Sequence, residues 1–180
     1  MIIQAKNKRQ ILLRKLGSAD FEKLSDYLFK LSAETAKRFG PHGFDTNSIA
    51  DIFRKPDNYM GFIALDTETA EIIAYSIVKQ GFLEHDSSRL RSYGLTLDSK
   101  TDCTFAPSVA DAWQSQGVGN GLFQFVLSNL HSVGIKRIIL WGGVQSDNHK
   151  AVSFYRKNSF TTLGEFEYYG NNYDMILEII

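Results

Sequence analysis

The sequence predicts a mixed α/β domain, a central sheet of about seven strands with helices between them, in the order β-α-α-β-β-β-α-β-α-β-β. Three observations predict it. Short β-branched or aromatic runs recur along the chain, as strands require. Apolar residues at helical spacing separate several of those runs. A glycine-rich stretch, Val109–Leu122, joins one strand-like run directly to the longest amphipathic segment.

Taken in order, Ile11–Leu16 reads as the first strand. Ser18 then caps a helix that places Phe21, Leu24, Leu28 and Leu31 on one face. The Gly/Pro/His-rich connection Phe39–Phe44 leads to a short second helix carrying Ile49, Ile52 and Phe53. Tyr59–Leu65 and Ile72–Val78 read as an antiparallel pair across the turn Asp66–Glu71. The stretch Glu84–Asp102 is polar and too long for an ordinary hairpin loop. Phe105–Ala110 is the strand that enters the glycine-rich loop; Pro107, which lacks a ladder donor, fits a bulge or an edge there. Beyond the loop, Leu122, Val126, Leu130 and Val133 form a helical stripe widened by Phe123 and Leu127, with Gly134 as its stop. Ile135–Trp141 is a buried strand, Ser146 or Asp147 opens a helix with Ala151, Val152 and Tyr155, and Phe160–Tyr168 with Tyr173–Ile179 close as a hairpin.

Composition sets outer limits. The 180 residues, 43% hydrophobic, suit one domain over 1–180 with a full-sized core. Twenty basic residues balance twenty acidic ones, so neither nucleic acid nor an anionic membrane is an expected partner. The single Cys103 excludes an internal disulfide and fits a reducing, cytoplasmic setting. No apolar run is long enough to predict a membrane span or a signal peptide.

Most of the chemistry lies in Gln114-x-x-Gly117-x-Gly119. Glycines let a backbone approach a ligand, and the first amides of a helix have no intrahelical partner and sit at the positive end of its dipole. Charge-assisted hydrogen bonds are worth about 1.5–3 kcal/mol each, so a few can hold a pyrophosphate without a lysine. Spacing sorts the rival loops. No Gly-Lys-Ser/Thr exists, which excludes a P-loop. A dinucleotide fingerprint fails because the third glycine, Gly121, comes one residue early and no acidic residue stands between Asp111 and Asp147.

The loop does match Gln/Arg-x-x-Gly-x-Gly/Ala, and the chain resembles the GNAT acetyltransferase superfamily, whose coenzyme A loop has that form. A second signature follows about 30 residues later: Asn148, Ala151, Phe154, Tyr155 and Phe160 resemble Asn-x-x-Ala-x-x-Phe-Tyr-x-x-x-Gly-Phe, with Ser159 where the family usually has Gly. Leu31–Thr35 with Arg38 and Phe39, and Asp111 before Trp113 and Gln114, resemble the branch that includes bacterial protein lysine acetyltransferases.

The resemblance implies the acyl-CoA N-acyltransferase fold and acetyl transfer from acetyl-CoA, as cosubstrate and without a metal, to a primary amine. It implies that Val109, Ala110, Gln114, Ser115, Gln116, Gly117, Val118, Gly119, Asn120, Gly121 and Asn148 bind the cofactor, with Tyr155 as general acid for the leaving thiolate. Asn148 also reads as a plain helix cap, and Tyr155 as a ring packed on the sheet. Acceptors range from small amines to protein lysines and N-termini, selected by segments 33–58 and 80–102; the terminal hairpin offers a homodimer surface.

The family's usual strand carboxylate falls on Thr104, which cannot act as a base. Asp102, Glu84 and His85 are the substitutes, each equally readable as a surface residue. Cys103 reads as a strand thiol rather than a nucleophile. Glu84-His85-Asp86 lacks metal-ligand geometry on an extended chain. Trp113 and Tyr168-Tyr169 could line an acceptor pocket or simply pack. The absent carboxylate keeps open a rival reading, a CoA-binding sensor or interaction module with little or no turnover.

Overall fold

The computed structural model describes residues 1–54 and 59–179. It is a mixed α/β fold with a mixed, largely antiparallel sheet, and the chain divides into two compact units.

The first unit joins Met1–Val78 to Ala106–Asn129. Strand β1 (Ile2–Gln4) pairs antiparallel with β2 (Gln10–Lys15), and β2 with β3 (Tyr59–Asp66). In β2 the side chains alternate, Ile11 and Leu13 fully buried and Gln10 and Lys15 exposed, which fixes the register because a one-residue slip would expose both apolar side chains. Strand β4 (Ile72–Gln80) is buried from Ile72 to Val78. That continuous burial marks a strand covered on both faces. Helices α1 (Phe21–Phe29), α2 (Ala33–Ala36) and α3 (Thr46–Phe53) follow the first hairpin, each starting where a side chain or turn can absorb the unpaired amides; Ser32 and Asp45 cap α2 and α3. Leu24, Leu28 and Ile49 supply the buried faces of α1 and α3.

The second unit joins Lys79–Phe105 to the chain from Leu130 onward. Strand β5 (Asp102–Val109) starts here and ends in the first unit, and helix α5 (Val118–Ser132) starts in the first and ends here. The opening half of β5 pairs parallel with β6 (Arg137–Leu140). Strand β9 (Asn171–Glu178) pairs with β6, with the two-residue β7 (Val144–Gln145) and with β8 (Thr161–Glu167), whose register shifts at Gly164.

Four elements exceed the sequence expectation; one is the single-turn α2. The sequence does not predict β1, because three residues with exposed ends carry no period. β7 is shorter still. The polar stretch from Glu84 contains helix α4 (Glu84–Ser92), whose inward side is Asp86, Ser87 and Leu90. A helix facing the core with a carboxylate has no apolar stripe to read. It is held by Arg89, which donates to Asp86 at 2.8 Å and to Asp174 at 2.7 Å and lies 3.7 Å over the Phe166 ring. Leu90 adds an apolar anchor against Ile139 and Ile176.

Helix α6 (His149–Lys157) ends in a Schellman cap: the Ser159 N–H donates to Arg156 C=O and the Phe160 N–H to Tyr155 C=O, both at 3.0 Å, while the rings of Phe160 and Tyr155 meet at 5.2 Å. Ser159 therefore sits at φ +66°, the left-handed position glycine favours. The left-handed region costs a non-glycine residue about 1–2 kcal/mol, against about 0.5–1 kcal/mol of extra chain entropy for glycine. Ser159→Gly should raise stability by up to about 1 kcal/mol, read as a higher urea midpoint with unchanged slope.

Candidate functional site

In the first unit, β5 ends at Val109 and the chain turns through Asp111–Trp113 before α5 begins at Val118. The Ala110 N–H donates to Ile73 C=O at 2.9 Å, so the strand is still held at the point where it leaves the sheet. Two left-handed residues make the bend, Ser115 at φ +62° and Gly117 at φ +88°. A methyl group on Gly117 would meet nothing within 4 Å, so the backbone there faces open space.

Gly121 has a different task. A Cβ on it would collide with the Ile3 side chain, so this glycine lets α5 lie close against β1. Its N–H closes the first helical bond, onto Gly117 C=O at 3.0 Å. The Gln116 N–H is likewise engaged, with Trp113 C=O at 3.4 Å. The run of amide donors expected over 116–121 thus narrows to Val118, Gly119 and Asn120, which as first-turn residues have no intrahelical carbonyl four positions back and no backbone acceptor among the described residues. Val118 is fully buried and can offer a ligand only its main chain.

Two tethers hold this bend. The Lys6 N–H, in the β1–β2 turn, donates to Gln116 C=O at 3.0 Å. On the other side the Asp111 carboxylate accepts from the Ser32 N–H at 3.0 Å, the Ser32 hydroxyl at 2.8 Å and the Thr35 hydroxyl at 2.7 Å. Gln114 Nε2 reaches Val109 C=O at 3.4 Å and Thr35 Oγ1 at 3.5 Å. Residues that the sequence separates by some 80 positions are one clasp. Desolvation works against the Asp111 charge, but the donors from Ser32 and Thr35 prevail and hold its carboxyl below the usual range.

His42 was not singled out by sequence, where it lacks a signature. It is half-buried, with Nδ1 on Gly43 C=O at 2.7 Å and Nε2 at 3.1 Å from the hydroxyl of the fully buried Tyr75, between the rings of Phe39 and Tyr75. Burial lowers its pKa, outweighing the Gly43 carbonyl. In the neutral form Nδ1 donates to Gly43 and Nε2 accepts from Tyr75. The only readable signal was the crowding of Phe39, His42 and Phe44 in one connection. Nearby, the Tyr27 hydroxyl donates to Ser108 Oγ at 3.0 Å. A cavity of about 310 Å³ opens among Leu16, Phe21, Phe53, Met60 and Gly61; none of the residues expected to bind the cofactor or to catalyse lines it, and Phe53 belongs to the expected acceptor segment 33–58. Positions 55–58 of the expected acceptor segment lie outside the described residues.

In the second unit, Tyr155 is buried on α6, edge-on to Phe154 at 5.3 Å and to Phe160. Burial pushes its phenol up, so it stays protonated through neutral pH. Its hydroxyl has no hydrogen-bond partner among the described residues. Asn148 caps α6, its Oδ1 accepting from the Ala151 N–H at 3.3 Å. The capping alternative thus accounts for the oxygen and leaves the carboxamide N–H groups for other partners.

The candidate bases are placed unequally. Asp102 is buried; its Oδ2 accepts from the Asp98 N–H at 2.8 Å and its Oδ1 lies 3.4 Å from Arg137. Desolvation raises its pKa against the Asp98 and Arg137 contributions. It works as a clamp on the Asp98–Asp102 turn. The buried Thr104 hydroxyl donates to Gly81 C=O at 3.0 Å. Glu84 and His85 are exposed in the first turn of α4. The Cys103 thiol is fully buried, more so than expected, and burial pushes its pKa up. Trp113 lies beneath the Arg9 guanidinium at 5.1 Å, and Tyr168 and Tyr169 are exposed at the hairpin tip. Among the described residues no group of three or more His, Cys, Asp or Glu is placed to hold a metal ion, and no helix is long and apolar enough to cross a membrane.

The sequence model of the acetyltransferase (GNAT) family matches residues 26–160. No curated protein matches the chain. Among solved structures, the GNAT domain of PAT from S. lividans aligns with a TM-score of 0.75 at 19% identity, over 99% of this chain and 96% of that one. The PaiA N-acetyltransferase of Thermoplasma acidophilum, solved with coenzyme A, aligns with a TM-score of 0.68 at 15% identity over 94% and 99%. A variant of the spermidine N-acetyltransferase SpeG from Vibrio cholerae aligns with a TM-score of 0.66 at 15% identity over 93% of each. At these identities the likeness concerns the fold.

Asp111→Ala removes the acceptor for three donors of α2 and its cap. After discounting for exposure the loss should be about 1 kcal/mol, measured by urea unfolding. Because the folded pKa is depressed, the clasp is present above the ordinary carboxylate pKa and fades as pH falls through the lower folded value, so the wild-type advantage should shrink only in acid.

Proposed function

This chain belongs to the acetyltransferase (GNAT) family, and we propose that it moves an acetyl group from acetyl-CoA to a primary amine by direct attack, as one domain in a reducing, cytoplasmic setting. The observation that carries this reading is the set of unbonded first-turn amides of Val118, Gly119 and Asn120 behind an open Gly117. They suit a pyrophosphate, with Gln114 and Ser115 at the rim and the backbone of Val109 and Ala110 beside the pantetheine arm. Asn148 offers its remaining N–H groups to that arm.

In the reaction the amine nitrogen bonds to the acetyl carbon, the carbon–sulfur bond breaks, the thiolate takes a proton, and the nitrogen gives up one proton in exchange through solvent. Tyr155 is the donor in this reading, supported by a hydroxyl with no protein partner among the described residues and a phenol held neutral. General acid help of this kind contributes about 10²–10⁴-fold. The acceptor must lose its proton first. For a lysine-like amine of pKa near 10.4 the neutral form costs about 4.6 kcal/mol at pH 7. Acceptors range from polyamines to protein lysines and N-termini.

One observation favours a second reading, a CoA sensor with little turnover: neither Thr104 nor Asp102 is available as a base, since both are held by backbone groups. Incubating the protein with acetyl-CoA and an amine panel decides between them. Thiol release with any amine supports transfer; tight acetyl-CoA binding with none supports the sensor.

Two variants test the parts. Gly117→Glu sets a like charge against the phosphates in a strained conformation and should weaken CoA binding at least about 100-fold by calorimetry; unchanged affinity would refute the loop. Tyr155→Phe should lower kcat by about 10²-fold or more while CoA affinity stays within about twofold. Since the phenol is raised, the wild-type kcat profile should show no loss from Tyr155 ionisation below about pH 10.

A further inference from the structure

The pyrophosphate loop carries no cation. No Lys or Arg occurs between Asp111 and Ile135. Amides can serve a pyrophosphate, but CoA also bears a phosphomonoester on its ribose 3′ oxygen. With a second pKa near 6, that group adds about 1.5–2 negative charges at pH 7. A dianion one ribose away from the loop calls for a cation that the loop does not supply.

The β1–β2 turn brings three to the loop. Its Lys6 N–H is bonded to Gln116 C=O, so this turn is fixed to the bend itself. Arg9 rests over Trp113 of the same loop. The turn is stiff: Ala5 N–H donates to Arg9 C=O and Lys8 N–H to Ala5 C=O, both at 2.9 Å, and Asn7 Oδ1 accepts the Arg9 N–H at 3.2 Å. Arg9 is neutralised by Asp66 and by Glu68 at 3.2 Å. Lys6 and Lys8 are exposed, and among the described residues neither ammonium has a hydrogen-bond or ion-pair partner.

We propose that Lys6 and Lys8 form the recognition site for the 3′-phosphate of CoA, which makes an N-terminal hairpin outside the family match at 26–160 part of the cofactor site. The inference rests on the reading of the 114–120 bend as the pyrophosphate loop. A lysine is suited to the task as a mobile point charge with three donors, able to follow a phosphate that is itself solvated. Two exposed contacts of this kind contribute a preference of about tenfold.

The test compares binding of CoA and 3′-dephospho-CoA by calorimetry, in wild type, Lys6→Ala/Lys8→Ala and a control, Lys23→Ala/Lys30→Ala, that removes the same charge from α1 and its C-cap. Wild type and control should prefer CoA by about tenfold at low salt, a ratio that shrinks as salt screens it. In Lys6→Ala/Lys8→Ala the ratio should fall below about twofold, with dephospho-CoA affinity and melting temperature unchanged. Equal affinity of wild type for both nucleotides, or an undiminished ratio in the Lys6→Ala/Lys8→Ala protein, overturns the inference while leaving the loop intact. Binding of neither nucleotide by wild type overturns the loop reading and the inference together.

Discussion

An α-helix cannot satisfy its own first amides, and where those amides end up decides what the chain can bind. Here α5 begins at the fully buried Val118, and its next turn presses Gly121 onto Ile3. Both contacts fix the height and rotation of the helix end in the first unit. A side chain at 121 would lift the helix off β1 and shift the three donors with it. The glycines of the motif thus divide the labour: Gly117 makes the bend and keeps it open, and Gly121 seats the helix.

The bend is held from both sides by hydrogen bonds within the protein. Lys6 fixes the Gln116 carbonyl, and Asp111 gathers Ser32 and Thr35 while Gln114 reaches the same threonine. Pre-ordering matters because binding otherwise has to supply the entropy of fixing the loop, about 1–2 kcal/mol per residue. The Asp111 clasp also joins the loop to α2, at the head of the segment expected to select the acceptor. In the proposed reading, the cofactor loop and the head of the acceptor segment therefore share one hydrogen-bonded hub in the first unit.

Much of this was legible because it depends on local chemistry. The spacing of Gln114, Gly117 and Gly119 between a strand and an apolar stripe gave the loop, and the stripe from Leu122 to Leu130 gave the helix. What escaped depends on tertiary pairing. α4 turns Asp86 inward because Arg89 and Asp174 neutralise it, and no periodicity announces that. β1 exists only because β2 offers an edge. Asp102 had the right chemistry for a base, but Asp98 and Arg137, remote partners or turn geometry that sequence does not display, give its carboxylate another task. The Ser159 departure was readable as a helix exit, and the Schellman bonds explain why the position tolerates it at modest cost.

Subtracting the polar groups that already have structural work leaves a short remainder. In the second unit, Asn148 Oδ1 closes the start of α6, and the backbone around Ser159 closes its end. Tyr155 lies between those caps, its ring fixed by Phe154 and Phe160, and its hydroxyl has no partner among the described residues. That oxygen is not one of the enclosed side-chain atoms left without a partner, so water can reach it. A phenylalanine would keep the same ring contacts at almost the same volume. Stability alone therefore gives no reason for the oxygen at Tyr155. The proposed reaction, which hands a proton to a departing thiolate, would give it one.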